Sequence, residues 1–236
     1  MSFEFDHLFI CVDVGAAIAD ELVSFGLTEG SSNVHPGQGT ANRRFFFRNA
    51  MLELLWVHSQ EEAVSEPIRR THLWERWQGR EGDCCPFGIC LRAVGADKDA
   101  MATPFRRKIA FEHWAFRPPY LPPSLSIAMA TNSEVDAEPL LFQTPFGKRP
   151  DQQPAEKAQP LEHAAGLKEI TRVTLVSPSA GTLSPELNSP ELNAAVKTGQ
   201  FELREGPAYA VELGFDGESA GQQRDFLPEL PLRLSW

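Results

Sequence analysis

The stretch FEFDHLFICVDVGAAIADELVSFG, residues 3–26, decides how the chain is read, because two periodicities meet in it. Phe3 to Val12 is an apolar, β-rich run. The following segment places Ala17, Ile18, Leu22 and Val23 at helical spacings, with Gly26 where a helix would stop. A strand followed by a helix is expected. His7 interrupts the strand, and an imidazole in such a run needs a partner or a purpose.

Working outward, a loop carrying HPGQGTANR leads into two strand-like runs, NRRFFFR and MLELLWVH, separated by Asn49 and Ala50, which suits a tight hairpin. With part of the loop pairing as a further strand, residues 1–60 read as one βαβββ module. Residues 61–80 are charged and helix-permissive, with Pro67 near a helix start, and read as a connector helix. The middle of the chain offers the strands FGICLRAV, KIAFEHWAF, SLSIAMAT and EPLLFQTPF between proline-rich breaks, so residues 61–165 read as the connector plus a degenerate second module. GKRPDQQPAEKAQP has the composition of an exposed linker. Residues 166–236 return to the plan: a strand around EITRVTLVSP, a helix over SPELNSPELNAAVKTG, and three strands to the end, a C-terminal βαβββ module. The fold class is α+β.

The chain has 236 residues, and a hydrophobic share of 42% suffices for a packed core. No run reaches the ~18 apolar residues that a membrane-spanning helix needs. MSFEFDH lacks the basic start and apolar middle of a secretory signal, so a cytoplasmic location is expected. The formal charge of −10 repels phosphate backbones and anionic membranes, which disfavours nucleic-acid and membrane partners. Cys11, Cys84, Cys85 and Cys90 contain no CxxC pair and read as reduced thiols. Gly37 and Gly39 lie in a loop without the Lys-Ser/Thr ending of a P-loop, and no nucleotide cofactor is expected.

DHLFICV, HPGQGTANR and FFFRNAMLELLWV, in that order, resemble the glyoxalase-like members of the vicinal oxygen chelate superfamily, which also includes bleomycin-resistance proteins and extradiol dioxygenases. The resemblance continues more weakly through PFGICLR, WAFRPPYLPP and EPLLF to about residue 165. It implies paired βαβββ modules curled into a half-open barrel around a cavity, with a divalent ion there in metal-using members. It places a metal-binding His at His7 and a metal-binding Glu at Glu53, on strands whose alternate residues share a face. Zinc, nickel, manganese or iron would suit that pair.

A working metal site usually has three protein ligands. In the middle segment Gln143 lies near the position corresponding to Glu53, while Pro86 or Gly88 stands where an imidazole would be wanted; in the C-terminal unit Arg172 aligns with His7, and Glu212 or Arg233 with Glu53. Neither restores a full set, and an arginine there would neutralise Glu53 or hold an anionic ligand instead. His35, Asn42 and Arg43 are candidates for the cavity mouth, joined by Arg117 and Tyr120 on a proline-stiffened segment. Two functions follow. One is an enzyme, a lyase or isomerase acting on a small oxygenated molecule, with the ion on His7, Glu53 and Gln143 and a carboxylate, Glu53, moving the proton. The other is a metal-free binding protein in which Phe45 and Phe47 help to sequester a small ligand. A homodimer is a further expectation.

Overall fold

The computed structural model describes residues 3–93, 109–145, 147–182, 184–188 and 201–236. Strand β1 (Phe3–Cys11) is followed by helix α1 (Ala19–Phe25), then β2 (Asn33–His35), β3 (Thr40–Phe46) and β4 (Met51–Val57). Gly26 ends α1 in the left-handed region at φ 113°, its N–H bonded to the carbonyls of Leu22 and Val23. The helix turns Ala19 and Leu22 inward, whereas Ala17 and Val23 are exposed; its late start at Ala19 rotates the apolar stripe away from the expected one. The β3–β4 hairpin closes with Phe47 N–H donating to the Ala50 carbonyl. β4 then returns parallel to β1, giving the order β2-β3-β4-β1.

The expected connector helix is split into α2 (Gln60–Ala63) and α3 (Leu73–Gln78). A single 3-10 turn and His72, at φ 53°, break the run between them. Strands β5 (Phe87–Ala93), β6 (His113–Phe116), β7 (Ile127–Ala130) and β8 (Leu140–Gln143) add the order β5-β8-β7-β6. β1 and β5 pair antiparallel, so one sheet of eight strands runs β2-β3-β4-β1-β5-β8-β7-β6. Its two halves are related by an approximate two-fold axis between β1 and β5. Placed at the Leu8–Ile89 pair, with His7 opposite Cys90 and Phe9 opposite Gly88, that axis exchanges His7 with Gly88 and Phe9 with Cys90. Glu53, partner of Phe9, then corresponds to Phe142, partner of Cys90.

The C-terminal strands depart from the expected module. β9 (Ile170–Ser177), β10 (Phe201–Glu205), β11 (Ala210–Phe215), β12 (Gln223–Asp225) and β13 (Leu232–Ser235) form a separate sheet of five in the order β10-β9-β11-β13-β12. Its parallel and antiparallel neighbours alternate as in β4-β1-β5-β8-β7 of the first sheet, so this unit repeats the centre of the large sheet in miniature. Most of the expected helix over residues 184–199 lies outside the described residues, which show a 3-10 turn at Pro185–Asn188.

The two sheets pack face to face. Leu8, Ile10, Leu52, Leu54 and Leu91 on the back of the large sheet join Val173, Leu175, Val211, Leu213 and Phe215 of the small one in a single core, which α1 also enters. Hydrophobic burial of this kind supplies about 25 cal/mol per Å² of apolar surface. Asn49, at the β3–β4 turn, fixes the docking: its side chain accepts from Ile170 N–H and donates to the Ile170 carbonyl. No helix among the described residues is long and apolar enough to cross a membrane. The front of the large sheet, free of the second sheet, curves around a cavity.

Candidate active site

The cavity measures about 700 Å³, within the ordinary range for a small-molecule site. Its wall changes character from strand to strand. β3, β4 and β1 contribute Asn42, Arg44, Glu53 and His7; β8, β7 and β6 contribute Leu140, Phe142, Ile127, Met129 and Phe116. The polar strand side chains sit in the first half, among Phe9, Phe46, Met51 and Leu55, while those of β8, β7 and β6 are apolar. The stretch expected as a free linker crosses the mouth, contributing Lys148, Gln153, Lys157 and Gln159, and Gln159 accepts from Ser31 N–H.

A bulge in β1 builds the centre. The β1–β5 register slips between Phe5 and His7, leaving Asp6 as the extra residue, and consecutive side chains that would point to opposite faces come together. His7 Nδ1 donates to Asp6 Oδ1 at 2.6 Å. Asp6 Oδ2 accepts from Arg92 Nη1 at 3.0 Å, and Arg92 also donates to Glu4 at 2.7 Å and to the Asn49 carbonyl at 2.6 Å. Burial opposes the charge on Asp6, but the His7 hydrogen bond and Arg92 outweigh it and hold the carboxyl below its usual range. Burial likewise opposes an imidazolium at His7; the Cys90 sulfur and the Asp6 carboxylate reverse that and raise its pKa well above the ordinary histidine value. The other ring nitrogen, Nε2, lies 3.5 Å from Glu53 Oε2.

Glu53 is 5% exposed. Its second oxygen accepts from Asn42 Nδ2 at 2.5 Å, and Asn42 Oδ1 accepts from Asn33 N–H at 2.8 Å. A protonated His7 therefore answers two carboxylates at once, which is how a buried charge in an apolar strand is tolerated. Near the mouth, Tyr120 OH donates to Gln38 Oε1, Gln38 Nε2 donates to Thr40 Oγ1, and His35 Nδ1 meets the same hydroxyl at 2.9 Å. Burial lowers the His35 pKa and raises that of Tyr120, so both are neutral around pH 7.

His7, Glu53, His35, Asn42 and Tyr120 thus converge on one cavity, and the other sequence candidates stand elsewhere. Arg43 points to the back face, where it holds Glu29, Asp20 and the Ala16 carbonyl. Strand alternation puts Arg44 at the cavity in its place. By the same parity Phe142 faces the cavity, and Gln143 lies on the opposite side of β8, accepting from Ala110 N–H at 3.3 Å. Phe45 and Phe47 belong to the back core, and Phe46 lines the cavity. Arg117 is exposed and outside the lining. Arg172 and Glu212 belong to the small sheet, where Arg172 pairs with Glu218 and Glu212 with Arg204 and Arg233. Of the site residues not named from sequence, Arg44 was open to detection: it follows Asn42 by two positions on one strand. Cys90 becomes a neighbour of His7 only through the β1–β5 pairing.

The donor set does not fit a divalent metal held as the two-module architecture implies. Of the four positions related by the two-fold axis, His7 and Glu53 carry donors, but Gly88 and Phe142 do not. The Phe9 ring occupies the place of a Gly88 side chain: a Cβ there would lie 2.0 Å from Phe9 Cε1. Asp6, His7 and Cys90 do bring one donor atom each within 4.8 Å of one another. That group already holds the Arg92 guanidinium through Asp6. All four cysteines are free.

Paired curved modules around a front-face cavity, with a His–Glu pair in the first module, define a glyoxalase-type fold. A family model described as a glyoxalase-like domain matches residues 5–190, and the chain belongs to that family, within the vicinal oxygen chelate superfamily that its first module resembles. A hypothetical protein from Staphylococcus aureus matches over 100% of this chain and 99% of its own, at 14% identity and a TM-score of 0.56, which shows a shared fold. Lower-scoring likenesses include a variant of Streptomyces coelicolor methylmalonyl-CoA epimerase in complex with 2-nitronate-propionyl-CoA (17% identity, 60% of this chain and 96% of that one, TM-score 0.34). Another is a fusion of a xylose isomerase-like TIM barrel with 4-hydroxyphenylpyruvate dioxygenase (13% identity, 91% and 37%, TM-score 0.46). A search of the curated proteins finds no match.

Proposed function

We propose that the protein is a metal-independent enzyme that moves a proton on a small carbonyl compound, an isomerase-type reaction with Glu53 as base and His7 as the hydrogen-bond donor to the developing oxyanion. The observation that carries this reading is the 3.5 Å approach of His7 Nε2 to Glu53 Oε2 on a cavity wall, with Asp6 fixing the other ring nitrogen. Glu53 takes a proton from the carbon beside the carbonyl. The C–H electron pair forms the enolate double bond while the carbonyl π pair moves to oxygen, where His7 Nε2–H meets it. Return of the proton to carbon completes the reaction and leaves both residues as they began.

The test is hydrogen–deuterium exchange at the methylene group of phenylpyruvate and of phenylacetone, followed by NMR in deuterated buffer. The wild type is expected to accelerate exchange, and Glu53→Gln to lose about 10²- to 10⁴-fold of that, the usual contribution of a general base. Equal rates for wild type and variant overturn the mechanism. The replacement of two donor positions by Gly88 and Phe142 favours a second reading, a binding protein that sequesters its ligand; saturable binding with no acceleration would select it.

A further inference from the structure

We infer that the cavity takes an amphipathic organic anion: a carboxylate held by Arg44, a reacting centre at Glu53 and His7, and an aliphatic or aromatic tail on the wall of the second module. This rests on the reading above for the reacting centre and adds the class of substrate.

The order of strands carries it. Arg44 is the direct cross-strand partner of Glu53, so the two share the cavity face on adjacent strands, about 5 Å apart. Across the sheet the face then presents a guanidinium on β3, a carboxylate on β4, an imidazole on β1, the Arg92 guanidinium of β5 already paired with Asp6, and from β8 to β6 only apolar strand side chains: Leu140, Phe142, Met129, Ile127 and Phe116. A molecule lying across the strands meets positive charge, proton-moving groups and hydrocarbon in that sequence.

Arg44 is suited to an anion. Its Nε donates to the Ser31 carbonyl at 2.7 Å and Nη2 to Ser31 Oγ at 3.0 Å, and the guanidinium lies 5.1 Å from the centre of the Phe46 ring. These contacts fix its plane without neutralising it. Among the described residues no carboxylate lies within ion-pair distance of the guanidinium, and Nη1 has no hydrogen-bond partner. Arg43, one residue earlier, has the opposite character, with both Glu29 and Asp20 on it. Burial lowers the Arg44 pKa and Glu53 opposes that. A planar guanidinium favours two-point contact with a carboxylate.

The experiment compares two probes that differ in one group, phenylpyruvate and phenylacetone, by isothermal titration calorimetry. The wild type is expected to bind phenylpyruvate at least tenfold more tightly, and this comparison requires no variant. Arg44→Gln should lower phenylpyruvate affinity about tenfold and leave phenylacetone unchanged, while Arg44→Lys, which keeps charge but not the fork, should fall between. Equal affinity for the two probes, or discrimination that survives Arg44→Gln in a folded protein, overturns the inference. Glu53→Gln separates this inference from the mechanism. Loss of exchange with the preference for the acid intact is expected; a preference for the acid without any exchange in the wild type would sink the proton-transfer reading alone.

Discussion

The ring of Phe9 stands where a side chain at Gly88 would project, so one residue of the central strand pair occupies the space of two. Gly88 corresponds to His7 across the two-fold axis, and Phe9 has filled the half-site that its absent side chain leaves. Gly88→Ala should therefore destabilise the protein by about 1–3 kcal/mol through overpacking, read as a lower midpoint in urea. Gly88→His should be worse and should not create a metal site. An unchanged midpoint for Gly88→Ala would mean that Phe9 is free to move.

The His7 charge predicts how stability changes with pH. Its folded pKa is raised above the ordinary value near 6.5, so its contribution is complete below that value and is lost as pH rises through the raised pKa. Wild-type thermal stability should fall across the neutral to alkaline range, and His7→Gln should flatten that slope. Asp6 has the opposite sign: its lowered pKa makes a contribution present above about 4 that disappears as pH falls further. A His7→Gln curve parallel to the wild type in alkali would show that the imidazole is not the group responsible.

The first module was legible because each of its signals is local. A strand, a helix with a glycine stop, and a hairpin at Asn49–Ala50 each sit within a few residues, and His7 and Glu53 follow from strand parity plus the resemblance. The errors share one cause. Choosing Arg43 over Arg44 and Gln143 over Phe142 is a slip of one residue, and in a strand one residue reverses the face. Asp6 was open to detection as a hydrogen-bond partner of His7, and the bulge is what brings the two side chains to one face. In the C-terminal unit the four strands read from sequence appear as β9, β10, β11 and β13, but their order in the sheet was not legible because pairing partners distant in sequence decide it.

Arg92 is 2% exposed and links Glu4, Asp6 and the Asn49 carbonyl, so it anchors the imidazole from behind. Arg92→Met keeps the hydrophobic stem and removes the charge, leaving His7 alone to answer the largely buried Asp6. A loss of about 3 kcal/mol is expected. The alkaline slope attributed to His7 should change with it, since Arg92 is one of the groups that hold Asp6, the partner of His7, as a carboxylate. If Arg92→Met is as stable as the wild type, the Arg92–Asp6 contact contributes nothing net.

His163 clamps the segment after the cavity strap to the first module: its Nδ1 accepts from Thr28 N–H at 2.9 Å and its Nε2 donates to the Phe46 carbonyl at 3.0 Å. Burial lowers its pKa, so the neutral ring that this pattern requires is the favoured form. Stability should fall as pH drops through its ordinary range, when the ring must take up a second proton and Nδ1 can no longer accept. His163→Ala should cost about 1–3 kcal/mol by orphaning two backbone groups, and should increase hydrogen exchange at the Thr28 amide.

Extraction with a chelator separates the two chemistries that a His–Glu pair can support. Two donors, with glycine and phenylalanine in the related positions, leave a cation to be held mainly by water, which is weak ligation for a catalytic ion. Dialysis against EDTA should leave exchange of phenylpyruvate protons and the melting temperature unchanged, and added zinc, nickel, manganese or iron should not raise the rate. Loss of activity on chelation, restored by one of these ions and abolished by Glu53→Gln, would show that substrate or water completes a metal shell on His7 and Glu53. The imidazolium assigned to His7 would then be wrong as well, because an Nε2 bound to metal carries no proton.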